Sequence, residues 1–321
     1  MRGGSPDAAR REALRAFRAP VAVAVLAMWS AAPNPKELAP GVISTGHEFT
    51  VTFTPDQREV YFTRFNTTPR WYHVMHSAWK NGAWQPAEAV PFSEDAWADM
   101  DPALSPDGRR LYFVSTRPTP IGVAGKTSLW YVDLVNGVWS EPHWIAAAGT
   151  EGHSGSPTVD RAGTLCFFSD RGQPGHNRIF CAAAANGGWT TPAPLDSTIN
   201  AGPSDTSPWL SPDGNTLLFY SERAGGQGKA DLYVSERRDG AWSAPRNLGS
   251  AVNTQDSEYN PSLSPDGSTL YFGRNGRVYA IAADAAGLGD RTAHARRPRT
   301  VTAMPQSKFG LQGTSITRQY F

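Results

Sequence analysis

Acidic and arginine side chains recur at matching positions along the chain of 321 residues. Each acid stands just before a predicted strand and each arginine ends the next strand, so both series should gather on one side of a repeated fold. Carboxylate and guanidinium groups form strong charge-assisted hydrogen bonds, which either tie repeated units together or hold a charged ligand. The acids are Glu48, Asp99, Asp205 and Glu258, and the arginines are Arg64, Arg117, Arg171, Arg223 and Arg274.

The two series are unequal, because the third repeat carries Ser154 where the other repeats carry an acid. One arginine therefore lacks an equivalent partner, and it is either Arg171 or its neighbour Arg117, depending on how the pairs form. We expect a carboxylate-bearing ligand, such as a peptide C-terminus or a uronic sugar, to dock there beside His153. Both series and His153 together form the predicted ligand-binding site.

Histidines and cysteines offer two further kinds of chemistry. His47, His153 and His176 fall on the same predicted face and are weak candidates for metal ligands, although solvated surface histidines are the commoner outcome. Cys166 and Cys181 lie symmetrically about a hairpin loop, so they form either a disulfide, which export would allow, or two buried thiols. No catalytic residue and no cofactor is assigned.

The elements that position these groups come from one unit of about fifty residues that repeats five times. The stretch LSPDGRRLYF recurs as LSPDGNTLLF and LSPDGSTLYF, and related turns occur at residues 54–57 and 159–163. Each stretch predicts two strands around a Pro-Asp-Gly turn. We expect the turn aspartates to accept backbone N–H bonds rather than to act in catalysis.

A second hairpin is predicted in the first four units, where Asn-Gly or Asp-Gly precedes a tryptophan. Four antiparallel strands per unit predict an all-β propeller with five four-stranded blades. The fifth unit lacks its outer strand, but residues 35–48 align without a gap with residues 245–258. We therefore expect an N-terminal strand to close the ring; six blades, with the C-terminal tail as the last, is the alternative.

Two stretches, NPSLSPDGSTLYF and SERAGGQGKADLYVSERRDGAWSAPRNLGSAVNT, resemble the Pro-Asp, WD-type repeats of TolB-like propellers. The resemblance covers about residues 35–284, and the third repeat departs from it by losing the Pro-Asp pair. It implies a periplasmic, cell-surface or secreted protein that binds other proteins or glycans. It implies neither a catalytic set nor a cofactor.

Charge and hydropathy divide the chain into three parts. Residues 1–32 carry arginines before a short apolar run, which is typical of an export signal or an N-terminal anchor. Residues 33–284 form the acidic propeller, which argues against a nucleic-acid partner. Residues 285–321 form a basic tail that we expect to be disordered or loosely packed, with no transmembrane span beyond the possible anchor.

These observations favour an exported, monomeric, non-catalytic TolB-like propeller. It would bind a protein or glycan, in particular a carboxylate-bearing ligand, through one face of its central channel. The alternative is a sugar-active propeller enzyme, a lyase or glycoside hydrolase, that uses the same face.

Overall fold

The computed structural model describes residues 34–68, 70–121 and 125–289. In this part of the chain five antiparallel sheets of four or five strands form the blades of a β-propeller, which confirms the predicted fold. We number the blades I to V in chain order and name their strands A to D from the central channel outwards. The predicted alternative of six blades is not what the structure shows.

The strands follow the repeat of the sequence. Strand A spans Glu48–Phe53, Asp99–Leu104, Ser154–Val159, Asp205–Leu210 and Glu258–Leu263 in blades I to V. Strand B spans Glu59–Thr67, Arg110–Ser115, Leu165–Ser169, Thr216–Ser221 and Thr269–Arg274. Strand C spans Arg70–Lys80, Ser128–Val135, Arg178–Ala182, Asp231–Arg238 and Arg277–Ala282.

The outer strand is shorter than the sequence suggests. The tryptophan-bearing segments Ala83–Trp84, Val138–Trp139, Gly188–Trp189 and Ala241–Trp242 form only the tip of a hairpin. A proline follows each tryptophan within two or three residues, and because proline has no N–H it interrupts the pairing. Strand D proper resumes afterwards as Glu88–Ala89, His143–Trp144, Ala193–Pro194 and Arg246–Asn247.

Ring closure is confirmed. The segment Lys36–Glu37 pairs antiparallel with strand C of blade V and supplies its missing strand D. The Ser44 hydroxyl accepts the Val278 N–H at 3.0 Å and donates to the Val278 carbonyl at 2.9 Å. Asn253, which precedes blade V, bonds the N–H and carbonyl of Leu232 in blade IV in the same way. The N-terminal segment therefore contacts blade V as the segment before blade V contacts blade IV.

The A–B turns show why the Pro-Asp motif repeats. In blade II the Asp107 carboxylate accepts the Ser105 hydroxyl at 2.6 Å and the Arg109 N–H at 3.1 Å. Burial raises the pKa of Asp107, but these hydrogen bonds outweigh it, so the pKa lies below its ordinary value. The turn aspartates are therefore structural residues, as the sequence analysis expects.

The hydrophobic core lies between the blades. At the middle of each strand B stands a phenylalanine that is at most 1% exposed: Phe62, Phe113, Phe167, Phe219 and Phe272. One cluster joins Leu218 and Leu232 of blade IV to Leu270 and Phe272 of blade V. Each blade thus buries its faces against its neighbours, which makes the closed ring the unit of stability.

The buried core extends a few residues past residue 284, where the sequence places the end of the propeller. Ala286 and Leu288, at the start of the predicted basic tail, are buried in the cluster between blades IV and V. Residues 1–33, which hold the predicted export signal, and residues 290–321 lie outside the described residues. No helix within the described ranges is long and apolar enough to cross a membrane.

Candidate functional site

The five predicted arginines lie within strand B or two residues beyond its end, and we call them the strand-B arginines. Four of the five pair with the acid of their own blade. The nitrogen–oxygen distances are 2.7 Å for Arg64–Glu48, 3.0 Å for Arg223–Asp205 and 2.7 Å for Arg274–Glu258, and Arg117 bonds Asp99 in the same way. The ion pairs therefore do not run from blade to blade. The link between blades comes instead from a second guanidinium bond to a carbonyl of the D–A connection, on Val42, Phe92, Ile199 and Val252.

The paired acids are inaccessible to a ligand, because all four are completely buried. Burial raises the pKa of Glu48, but bonds from the Thr45 hydroxyl and N–H and from Arg64 outweigh this effect and leave the pKa lowered. For Asp99, burial prevails over Arg117 and Ser115, so the pKa is raised. The hydrogen bonds that these two carboxylates accept come from within the protein, as a structural clamp requires, although the buried Oδ2 of Asp99 has no partner in the described part of the chain.

The third blade departs from this arrangement. Arg171 donates to the Ala148 carbonyl at 2.9 Å, as its counterparts do, but Ser154 takes the place of the acid. Since Arg117 pairs with Asp99, Arg171 is the arginine that has no carboxylate partner within the described residues.

The three histidines do not come together as a metal site. The His47 ring packs against Phe65 with centroids 5.3 Å apart, whereas His153 Nδ1 lies 3.1 Å from the Thr127 hydroxyl. His176 is exposed in the B–C loop of blade III. Within the described ranges no group of three or more histidines, cysteines or acids is placed to hold a metal ion.

Cys166 and Cys181 form a disulfide between strands B and C of blade III. The two residues are directly opposite each other in the register, with Cα atoms 4.1 Å apart. Of the two states that the sequence left open, the structure therefore has the oxidised one.

A concave feature lies at the other end of strand A from the acid–arginine pairs. It is a cavity of about 290 Å³ on the propeller axis, bounded by strand A and the A–B turn of every blade. None of the four paired acids or five strand-B arginines lines it. We call it the central cavity.

A ring of polar side chains closes the inner end of the central cavity. Its members, the third residues of the five A strands, are Thr50, Asp101, Ser156, Ser207 and Asn260. All five have a positive φ, between 47° and 53°, at a bulge in the pairing of strands A and B. A bulge redirects side chains, and here it brings five polar groups to the axis.

The Asp101 carboxylate accepts hydrogen bonds from three other members of this polar ring. Its Oδ1 accepts the Thr50 hydroxyl at 2.8 Å and the Asn260 amide at 3.3 Å. Its Oδ2 accepts the Ser156 N–H at 3.1 Å and the Ser156 hydroxyl at 2.9 Å. Burial nevertheless raises the pKa of Asp101, because it outweighs these hydrogen bonds from uncharged donors.

The wall of the central cavity is asymmetric. Trp209 of blade IV occupies a position that is filled by small side chains in the other blades, namely Thr52, Ala103, Thr158 and Ser262. The indole also borders a smaller cavity of about 40 Å³ between the turns of blades IV and V. At the rim, Arg161 stands where the other four blades have a proline.

Sequence reasoning missed the polar ring, although a signal for it was present. In every blade a polar residue follows the first residue of strand A by two positions, and in blades II to V it precedes a proline. The constant spacing indicated a shared structural position. The positive φ that turns these side chains to the axis could not be read from the residues.

No known protein family and no curated protein matches the sequence. Several solved structures are similar to this chain over much of its length. TolB from Acinetobacter baumannii is 17% identical over 73% of this chain and 54% of its own, with a TM-score of 0.47. A putative TolB from Agrobacterium tumefaciens is 16% identical over 71% and 69%, with a TM-score of 0.48.

An α-L-arabinofuranosidase from Podospora anserina, solved with cellotriose, is 11% identical over 78% of this chain and 94% of its own, with a TM-score of 0.46. This chain spans about half the length of the Acinetobacter protein. Identities this low concern the fold alone. The chain is a five-bladed β-propeller with a fold similar to TolB propellers.

Proposed function

We propose that the protein is a non-catalytic, exported binding propeller that takes a glycan into its central cavity. The observation that carries this proposal is the cavity itself, with a polar ring at its inner end and an indole in its wall. The paired acids of the opposite face are buried in clamps and cannot present a charged mouth. The central cavity is therefore the better place for the ligand.

The chemistry of the lining favours a sugar over a protein surface. A sugar ring has apolar C–H groups that pack on an aromatic face, and hydroxyl groups that both donate and accept hydrogen bonds. Trp209 supplies the aromatic face, and the Ser207 hydroxyl can both donate and accept. The Thr50 and Ser156 hydroxyls, which donate to Asp101, can accept. A cavity of about 290 Å³ suits a small ligand, whereas a protein partner needs a surface of about 800 Å².

Export is supported by the disulfide between Cys166 and Cys181. Structural disulfides persist in oxidising compartments such as the periplasm or the cell exterior and are rare in the cytosol. The predicted signal in residues 1–32 is consistent with such a destination.

The experiment is a glycan array with the purified propeller, followed by calorimetry on the best ligand. Two variants test the location of the site. Trp209→Ala removes the aromatic face, and Ala103→Trp fills the cavity with the residue that blade IV already accommodates at the equivalent position. We expect each variant to weaken binding at least about tenfold, since burial of an aromatic side chain contributes about 1.5–3 kcal/mol.

Trp71→Ala is the matched control, because Trp71 is a half-buried tryptophan of blade I that does not line the cavity. It should bind the glycan as the wild type does. Unchanged affinity in Ala103→Trp, or a loss in Trp71→Ala alone, would show that the ligand does not occupy the central cavity. An array without any bound glycan would refute the proposed function.

A further inference from the structure

The surroundings of Arg171 match those of the paired arginines, although blade III has Ser154 in place of the acid. Its guanidinium carbon lies 5.1 Å and 4.9 Å from the ring centroids of Phe167 and Phe180. The equivalent distances for Arg223 in blade IV are 5.0 Å and 4.9 Å, from Phe219 and Tyr233. The position of the guanidinium group is thus the same in both blades, although only blade IV contains the acid.

Blade III is built like the two blades that use aspartate. In blades II and IV the arginine also bonds a serine hydroxyl two residues earlier, on Ser115 and Ser221. Ser169 has this role for Arg171, at 3.3 Å from Nε. Blade III therefore keeps every part of the aspartate-type clamp except the aspartate, which Ser154 replaces.

The missing carboxylate leaves the guanidinium group of Arg171 without a charged partner. Its Nε bonds the Ser169 hydroxyl and its Nη2 bonds the Ala148 carbonyl, and neither acceptor carries a charge. The neighbouring Asp170 does not compensate, because its carboxylate accepts the N–H groups of His153 and Gly175 and makes no ion pair with Arg171. Burial consequently lowers the pKa of Arg171, with no opposing charge.

A lysine on the neighbouring blade contacts the histidine that precedes Ser154. Lys126 Nζ lies 3.3 Å from His153 Nε2, on the segment that precedes strand C of blade II. The His153 backbone in turn joins the end of strand B of blade III, since its carbonyl accepts the Ser169 hydroxyl at 2.8 Å. The ammonium group therefore stands beside the strands that hold Arg171.

We propose that blade III binds the carboxylate group of a ligand at Arg171, a partly exposed arginine whose blade lacks the acid of the other four blades. This anion site lies at the opposite end of strand A from the central cavity and is independent of the proposed glycan site. A carboxylate would give this guanidinium group the charge-assisted bond that Asp205 gives Arg223. The group is either a small free carboxylate or the carboxylate of a larger molecule, such as a peptide C-terminus or a uronic sugar.

The test uses three probes: sodium acetate, N-acetylglycine and sodium glucuronate. The measurement is the rise of the thermal unfolding midpoint with probe concentration, against sodium chloride at the same ionic strength. A ligand that binds only the folded state raises this midpoint in proportion to its affinity. We expect at least one probe to stabilise the wild type, and the strongest of the three identifies the source of the carboxylate.

Two variants locate the site, and a third controls for charge. Ser154→Asp supplies the internal carboxylate that blades II and IV already have, and Arg171→Gln removes the cation without stranding a buried acid. Each should weaken binding of the most strongly bound probe at least about tenfold, because the charge-assisted bond to the guanidinium group is lost. Ser197→Asp adds a charge at an exposed position of the connection between blades III and IV and should respond as the wild type does.

The outcomes are decisive in either direction. A response in the wild type and Ser197→Asp that disappears in Ser154→Asp and Arg171→Gln supports the anion site. An equal response in Ser154→Asp and the wild type, or no wild-type response to any probe, overturns it. Ser154 and Arg171 do not line the central cavity, so the difference between these variants and the wild type reports the anion site alone. A failure here therefore leaves the proposed glycan site untouched, and the reverse also holds.

Discussion

The N-terminal segment should contribute more to stability than its short strand suggests. Residues 34–45 form only two ladder pairs, but they place Ile43 and Leu38 in the core, where the two side chains are 0% and 3% exposed. Both belong to the cluster that joins blades V and I. Truncating such a residue to alanine costs about 2–5 kcal/mol, through lost burial and the cavity left behind.

We expect Ile43→Ala to lower the free energy of unfolding by about 3 kcal/mol, a large part of the 5–15 kcal/mol that is typical of a folded protein. The assay is equilibrium unfolding in urea, followed by tryptophan fluorescence. Lys36→Ala is the matched control, because this lysine is exposed within the same segment and should change stability by less than about 0.5 kcal/mol.

Deleting residues 35–45 should have a second effect, because strand C of blade V would become a bare edge. Exposed strand edges pair with other chains, so we expect aggregation as well as a lower midpoint. If Ile43→Ala unfolds at the same urea concentration as Lys36→Ala, and the deletion variant stays monodisperse, the closing segment does not hold the ring together.

Three further results are expected. Arg117→Ala should cost about 3–5 kcal/mol in urea unfolding because it strands the buried Asp99, whereas Arg171→Ala should cost clearly less; equal losses would contradict the clamp. The pKa of Asp101 is raised from 3.8 by burial, so folding favours the protonated form and stability is lost as the pH rises above about 4. Asp101→Asn should therefore gain stability relative to the wild type over that range in pH-dependent unfolding, and a constant difference would refute this. Reducing the blade III disulfide should cost about 3 kcal/mol in a parallel unfolding curve, and unchanged stability would count against a structural role.

The repeat in the sequence predicted most of the fold, because its signals are local. A Pro-Asp-Gly turn between apolar runs specifies a hairpin wherever it occurs, and five such hairpins can bury their faces only against one another. The closing strand was predictable for the same reason, since residues 35–48 repeat the pattern of residues 245–258. The split outer strand was missed, although the proline after each tryptophan signals it.

The candidate sites were predictable only in part. The sequence showed that blade III lacks an acid, and this alone left Arg171 and Arg117 as equal candidates. The choice depended on whether each arginine reaches the acid of its own blade, and this follows from the register that places Glu48 opposite Arg64 and Glu258 opposite Arg274. The register depends on how two strands pair, so it cannot be read from the identity of any single residue.

By itself, the sequence determined the five blades, the strand that closes the ring and the missing acid of blade III. Only the tertiary structure decided that the other acids are buried within clamps and that the open cavity lies at the opposite end of strand A. The physical reason is the bulge in each strand A, whose positive φ turns residues such as Asp101 towards the axis. Five strands must surround that axis before those side chains become neighbours.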